Sequence, residues 1–194
     1  MLKLVRNTLN DKKSVVDGNN RFVKYDFITK LHKLQQSEGL HLGNKLRAAH
    51  LAAFRKKMNV KLAAQLLSES VATSLEFCMM EKMPEFFGAE ATVKFIRVFN
   101  QLFDVFNSRN LRAKSFKCPV KSSNWLQISE FLTSARSYIV SLKESVNGRA
   151  LVTSNRKTGF LGFVICIDSL FKLYTLLIER ASSELHEFLV YVQI

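Results

Sequence analysis

Cysteine, proline, glycine and acidic side chains are all scarce in this chain of 194 residues. The three cysteines, Cys78, Cys118 and Cys166, stand far apart with no CxxC among them. That excludes a disulfide framework and a zinc site of ordinary spacing, and it fits a reducing compartment. Two prolines and seven glycines are too few for the tight turns of an all-β sandwich or barrel. The stretch Met1–Leu9 has no apolar run long enough for a signal peptide. No GxxxxGK[ST], GxGxxG or GxSxG is present, so the standard phosphate loop, dinucleotide fingerprint and nucleophile elbow are excluded by motif. His32, His41, His50 and His186 fall into neither HxxxH nor HExxH spacing. Acidic residues number 16 against 29 Lys and Arg. A two-metal nuclease site needs several converging carboxylates. The two acids expected to be buried in apolar helical surroundings, Asp104 and Asp168, are too distant in sequence to be paired by spacing.

What is abundant is phenylalanine, 16 residues, and positive charge, net +13. The charge comes in blocks. Residues 1–61 hold 14 basic and 4 acidic residues, and residues 109–157 hold 10 and 2. The stretches 62–108 and 158–194 are slightly acidic. Two basic blocks of this size suit an anionic partner, nucleic acid or nucleotide phosphate, although a solvated surface has the same composition.

The periodicity predicts a mostly α fold of about five to seven helices with a short N-terminal β-hairpin. Leu2, Val5 and Leu9 recur at helical spacing, as at the end of a helix. Val15–Val23 reads as a hairpin around Asp17-Gly-Asn-Asn20, one that must lean on other structure. Helical patterns follow at 26–36, 44–54, 58–80, 90–107 and 124–146, the last closing on Asn147-Gly148 as a C-cap. Gly39, Gly43, Pro84 and Gly88 punctuate the chain, and 108–123 reads as a basic loop. The apolar run 159–178 has the length of a membrane span. Asp168 and Lys172 inside it would each cost about 2.5–3.5 kcal/mol at the bilayer centre, so a buried helix is expected instead.

Two features suggest ligand chemistry. Asn100 and Asp104 lie one turn apart and share a helix face. A carboxylate there can accept both guanine donors, N1–H and the 2-amino group; the plainer reading is the polar edge of an amphipathic helix. Arg55-Lys-Lys57 and Asn155-Arg-Lys157 each precede a helix, where anions are favoured, or are simply solvated loops.

Several stretches together resemble P element-type transposases, the group that includes the animal THAP-domain transposases. They are Met1-Leu-Lys-Leu-Val-Arg-Asn7, Leu31-His-Lys-Leu-Gln35 with Glu38-Gly-Leu-His-Leu42, Lys57-Met-Asn-Val-Lys-Leu-Ala-Ala-Gln65, Phe95-Ile-Arg-Val-Phe-Asn-Gln-Leu-Phe-Asp-Val-Phe-Asn-Ser108 and Arg156-Lys-Thr-Gly-Phe-Leu-Gly162. They occur in the family's order over nearly the whole chain. The resemblance implies that residues 1–25 end the N-terminal half of an RNase H-like domain. It further implies that 26–150 form a helical GTP-binding insertion domain and that 151–194 begin the C-terminal RNase H-like half. The family's second catalytic Asp would lie just before Met1, and its Glu beyond Ile194. The 194 residues are thus expected to be non-catalytic, with Mg²⁺ belonging to the intact enzyme only. For GTP, the resemblance implies Asn100 and Asp104 on the base, Val60 lining it and Lys45 as a basic contact; a further acidic contact lies C-terminal to this chain. It implies DNA (transposon ends) as partner of the intact protein, self-association, no membrane, and a nuclear location. The alternatives are a helical nucleic-acid-binding module without nucleotide specificity, and a degenerate transposon reading frame with no function.

Overall fold

The computed structural model describes residues 1–39, 44–51, 56–179, 187, 188 and 190. The expectations placed on Gly43, Arg55, His41, His186 and residues 191–194 lie outside them. The chain is mostly α, with an N-terminal hairpin, and seven helices of the described residues run for seven residues or more. Helix α1 (Leu2–Lys12) buries Leu2, Val5 and Leu9 on the face that their spacing predicts. Strands β1 (Ser14–Val16) and β2 (Phe22–Lys24) then pair antiparallel, with Val15 opposite Val23.

Asp17 holds the turn between them. Its carboxylate accepts the backbone N–H groups of Asn19 and Arg21, each at 2.9 Å, and the Arg21 guanidinium at 3.0 and 3.1 Å. Burial would raise this carboxyl's pKa; the hydrogen bonds from Arg21 and Asn19 outweigh it and hold the group below its ordinary value. A two-stranded hairpin is marginal in water. Here β4 (Lys143–Glu144) adds a third strand alongside β1. The Thr92 hydroxyl also accepts the Lys24 N–H at 2.9 Å.

After the hairpin, α2 (Asp26–Glu38) ends on Gly39, whose φ of +65° is the left-handed C-cap that glycine adopts without strain. One helical turn, α3 (Ala48–Leu51), precedes α4 (Val60–Leu66) and α5 (Glu69–Met80). Helix α6 (Glu90–Phe106), strand β3 (Val120–Lys121), α7 (Ser122–Ser141), α8 (Lys157–Tyr174) and β5 (Glu187–Phe188) complete the order. β3 pairs antiparallel with β5.

Three expectations are corrected. The single helix predicted over 58–80 is broken at Leu67-Ser68. Ser68 takes an extended backbone, its hydroxyl donates to the Gln65 carbonyl at 2.8 Å, and its own carbonyl starts α5. Serine's local hydrogen bonding competes with the helix there. The helix predicted to reach Val146 stops at Ser141. Leu142 is fully buried in an extended conformation, and the next two residues pair with β1. Asn147-Gly148 therefore turns the chain back, with Glu144 N–H donating to Arg149 C=O at 2.8 Å, and caps no helix. Asp168 is not buried: its side chain is 46% exposed and bonds Arg136 on α7 at 2.7 Å. That ion pair suits its place on the rim of an apolar helix.

The core is continuous from α1 to α8. At its centre the Phe99 ring lies 4.6 Å from that of Phe95, 5.8 Å from Phe160 and 5.5 Å from Phe163. Helix α8 with its following turn, Lys157–Ile178, is long and apolar enough to cross a membrane by length and composition. In the fold its Phe160, Phe163, Ile167 and Leu170 are buried, and the helix packs on α1 and α7.

Helix α1 crosses α8 at Gly159. A Cβ there would stand 2.9 Å from Leu4 Cβ and 3.2 Å from both the Met1 carbonyl oxygen and the Val5 nitrogen. Two of those atoms are backbone and cannot swing away. Gly159→Ala gains about 1 kcal/mol in helix propensity. The overpacking costs about 1–3 kcal/mol and prevails. The substitution is expected to lower the midpoint of urea unfolding; a raised midpoint would show that α1 and α8 separate easily.

Candidate nucleotide site

Helix α6 presents its apolar stripe inward and leaves Asn100, Phe103 and Asp104 facing the break between α4 and α5. Because α4 stops at Leu66, Ser68 and Ser70 come forward with Gln65 and Ala64 to form the opposite wall. The cavity enclosed is about 290 Å³, and Lys45 and Lys117 complete its lining. Asn100, Asp104 and Lys45, selected from the sequence, thus line one cavity. Val60, the first residue of α4, is half-buried and is not among the described residues lining it. Its neighbour Asn59 caps α4, accepting the Leu62 N–H at 2.9 Å.

Asp104 is the chemically distinctive group. Burial pushes its carboxyl pKa up, and the Lys117 ammonium, 3.3 Å away, offsets this only partly. Glu69, at the start of α5, adds a further upward push. That glutamate is itself held by Arg97 at 2.8 Å, and Arg97 also grips Glu76 at 2.6 Å. The carboxylate is thus costly to ionise in this setting and gains from any additional hydrogen-bond donor.

A second cavity of about 420 Å³ adjoins the first and shares Lys45 and Gln65 with it. Arg47 and Lys61 bring further positive charge to its lining, and His50 forms part of the wall. The His50 ring is buried and fixed: Nε2 bonds Gln65 Oε1 at 3.0 Å, and Nδ1 lies 3.0 Å from Arg47 N. The first cavity brings one carboxylate, the Asn100 and Gln65 amides and two lysines, and its neighbour shares Lys45 and adds Arg47 and Lys61.

Lys117, Gln65 and Arg47 carry no sequence signal for this role. Lys117 ends a short helical turn, Ser115–Lys117, in an aperiodic stretch of sequence, and its ammonium stands 3.3 Å from Asp104. The basic segment before α8 also resolves into structure: Arg156 bonds Asp11 of α1 at 2.7 Å. In the other basic segment the Lys56 and Lys57 carbonyls accept the buried Arg6 guanidinium, each at 3.0 Å. Among the described residues no group of three His, Cys, Asp or Glu side chains is placed to hold a metal ion.

Residues 1–119 match the family described as "TNP-like, GTP-binding insertion domain". Over 176 residues the chain is 33% identical to human DNA transposase THAP9, covering 90% of this chain and 19% of that protein. Over 149 residues it is 28% identical to the Transposable element P transposase of Drosophila melanogaster, covering 72% of this chain and 18% of that protein. The chain therefore spans about a fifth of the length of these curated relatives. Its fold is similar to that of a chain in the solved Drosophila P element transposase strand transfer complex. The TM-score is 0.76 at 23% identity, over 96% of this chain and 40% of that one.

Proposed function

Since the chain belongs to the TNP-like GTP-binding insertion domain family of P element-type transposases, we propose that it binds GTP in the paired cavities beside α6 and helps to position donor DNA in a longer protein. The observation that carries this reading is Asp104, a half-buried carboxylate whose cavity shares Lys45 and Gln65 with a neighbouring one that Arg47 and Lys61 also line. Asp104 accepts the guanine N1–H and 2-amino donors, and Asn100 supplies an amide one turn away. Lys45, Arg47 and Lys61 offset the negative charge of the phosphates. No step of DNA cutting or joining is assigned to these residues. Transposon ends as partner, self-association and a nuclear location belong, on this reading, to the longer protein.

Equilibrium binding of a fluorescent GTP analogue, competed by unlabelled GTP and ATP, tests the assignment. GTP is expected to compete and ATP to compete far less, because the adenine 6-amino edge offers Asp104 no matching pair of donors. The rival reading, a helical nucleic-acid-binding module without nucleotide specificity, requires the two to compete equally. A strand-transfer assay with Mg²⁺ and transposon-end DNA is expected to show no product from this chain alone; product formation would overturn its reading as a binding module.

A further inference from the structure

We propose that the loop from Arg109 to Lys121 is a contact surface for the phosphate backbone of duplex DNA, and that its Lys117 couples this contact to the occupancy of the Asp104 cavity. The coupling rests on the nucleotide reading above; the contact surface does not.

The loop holds Arg109, Arg112, Lys114, Lys117 and Lys121 with no acidic residue between them, and all five are exposed. Arg112, Lys114 and Lys121 make no ion pair with a described residue. The loop is nevertheless held in place. The Ser108 N–H donates to the Val190 carbonyl at 3.1 Å, and the Ser108 hydroxyl donates to the Lys117 carbonyl. Phe116 packs on Phe131 of α7 at 4.6 Å, and Lys121 N–H bonds Asn124 at 3.0 Å. Arg112, Lys114 and Lys121 thus keep a defined spacing on an anchored loop without an acidic counterpart among the described residues, which is the footprint of a phosphate-backbone contact.

Lys117 differs from Arg112, Lys114 and Lys121 in pointing back to Asp104. Its side chain is 58% exposed, so the pair is weak and exchangeable. The Asp104 carboxylate that would accept two guanine donors side by side is the same one that receives this ammonium. Guanine and Lys117 therefore compete for it. Displaced, Lys117 joins the outward cations of its loop and adds one phosphate contact. By linkage, DNA that draws Lys117 off Asp104 raises nucleotide affinity by the same factor.

The experiment titrates the full chain with a labelled duplex of about 20 base pairs across roughly 50–200 mM salt, with and without saturating GTP. With GTP bound, the slope of log affinity against log salt is expected to steepen by about 0.9, the value of one added phosphate contact. ATP should leave the slope unchanged. In Lys117→Met the slope should be the same with and without GTP, whereas Lys143→Met, lacking an exposed cation on the sheet, should retain the GTP effect. GTP binding measured separately distinguishes the failures. Bound GTP with an unchanged or shallower wild-type slope overturns the coupling alone. Absence of GTP binding overturns the nucleotide reading and the coupling with it. The contact surface is judged independently by the double variant Arg112→Glu, Lys114→Glu, whose duplex affinity should fall about tenfold or more at the low-salt end. Unchanged affinity, or equal competition by polyglutamate at matched charge, overturns it.

Discussion

Asp104→Asn is expected to cut GTP affinity roughly hundredfold and to admit xanthosine triphosphate in its place. The wild-type carboxylate offers two acceptor oxygens to two guanine donors. Hydrogen bonds to charged groups are worth about 1.5–3 kcal/mol each, and about 1.4 kcal/mol is tenfold in affinity. The asparagine keeps one acceptor but sets an N–H₂ against the guanine 2-amino group, so one bond is lost and a donor faces a donor. Xanthine carries a carbonyl at that position, and the amide complements it. Asn100→Ala should weaken GTP without this exchange of base. Competition curves for GTP and xanthosine triphosphate on both variants check the claim. A variant Asp104→Asn with undiminished GTP affinity would remove Asp104 from the site.

The same substitution should make the ligand-free protein more stable at neutral pH. In the folded state the Asp104 pKa is raised by burial, so ionisation opposes folding. Its unfavourable contribution is absent below the unfolded-state value. It grows as pH rises from that value to the raised one, and is complete above it. The variant's advantage in melting temperature should therefore be largest at neutral pH and shrink on acidification. Lys117 reduces the effect without reversing its sign.

The largest loss of stability is expected from Phe99→Ala. Phe99 is fully buried, and its ring touches Phe95 on its own helix and both Phe160 and Phe163 on α8. Truncating a buried Phe costs about 3–5 kcal/mol, from lost transfer energy and the cavity left behind. Tilted and edge-on ring contacts add to that loss. Rigid helices border the site and leave little room for collapse. Urea unfolding should show a midpoint moved well below wild type with little change in slope. Phe99→Leu, which refills much of the volume, should recover most of the difference. Equal damage from the two variants would mean that the rings matter for something other than packing. Since Phe99 stands next to Asn100, the alanine variant should also loosen GTP binding.

How far the fold and the site can be read from the residues depends on how local each feature is. Helix α6 is legible because its phenylalanines repeat at helical spacing and all stay on one face. The hairpin is legible because Asp17-Gly-Asn-Asn20 separates two β-branched or aromatic runs. The end of α7 is not: Leu142 to Glu144 continue a helical pattern, and only pairing with β1, far away in the chain, pulls them into a strand. The break at Ser68 is a contest between serine's local hydrogen bonds and helix propensity, which composition does not decide. For the site, Asn100 and Asp104 could be selected because they lie one turn apart. Lys117 and Gln65 reach the same cavity by long-range closure, and no spacing rule announces them. Asp168 looked buried because its neighbours in sequence are apolar; its helix simply turns that residue outward to Arg136.

The crossing of α1 and α8 at Gly159 has a topological consequence. The chain leaves α1, travels through the hairpin, the cavity-bearing helices and α7, and returns to run beside its point of departure. Everything between Lys13 and Arg156 is a closed excursion, with the ion pair of Asp11 and Arg156 at its neck. The loop-closure entropy of so long a detour grows only with the logarithm of its length, and the packing of α1 on α8 offsets it once. A longer protein that keeps these two helices as neighbours holds both ends of the excursion at one place, and Phe99, packed on Phe160 and Phe163 of α8, fastens its middle to the same framework.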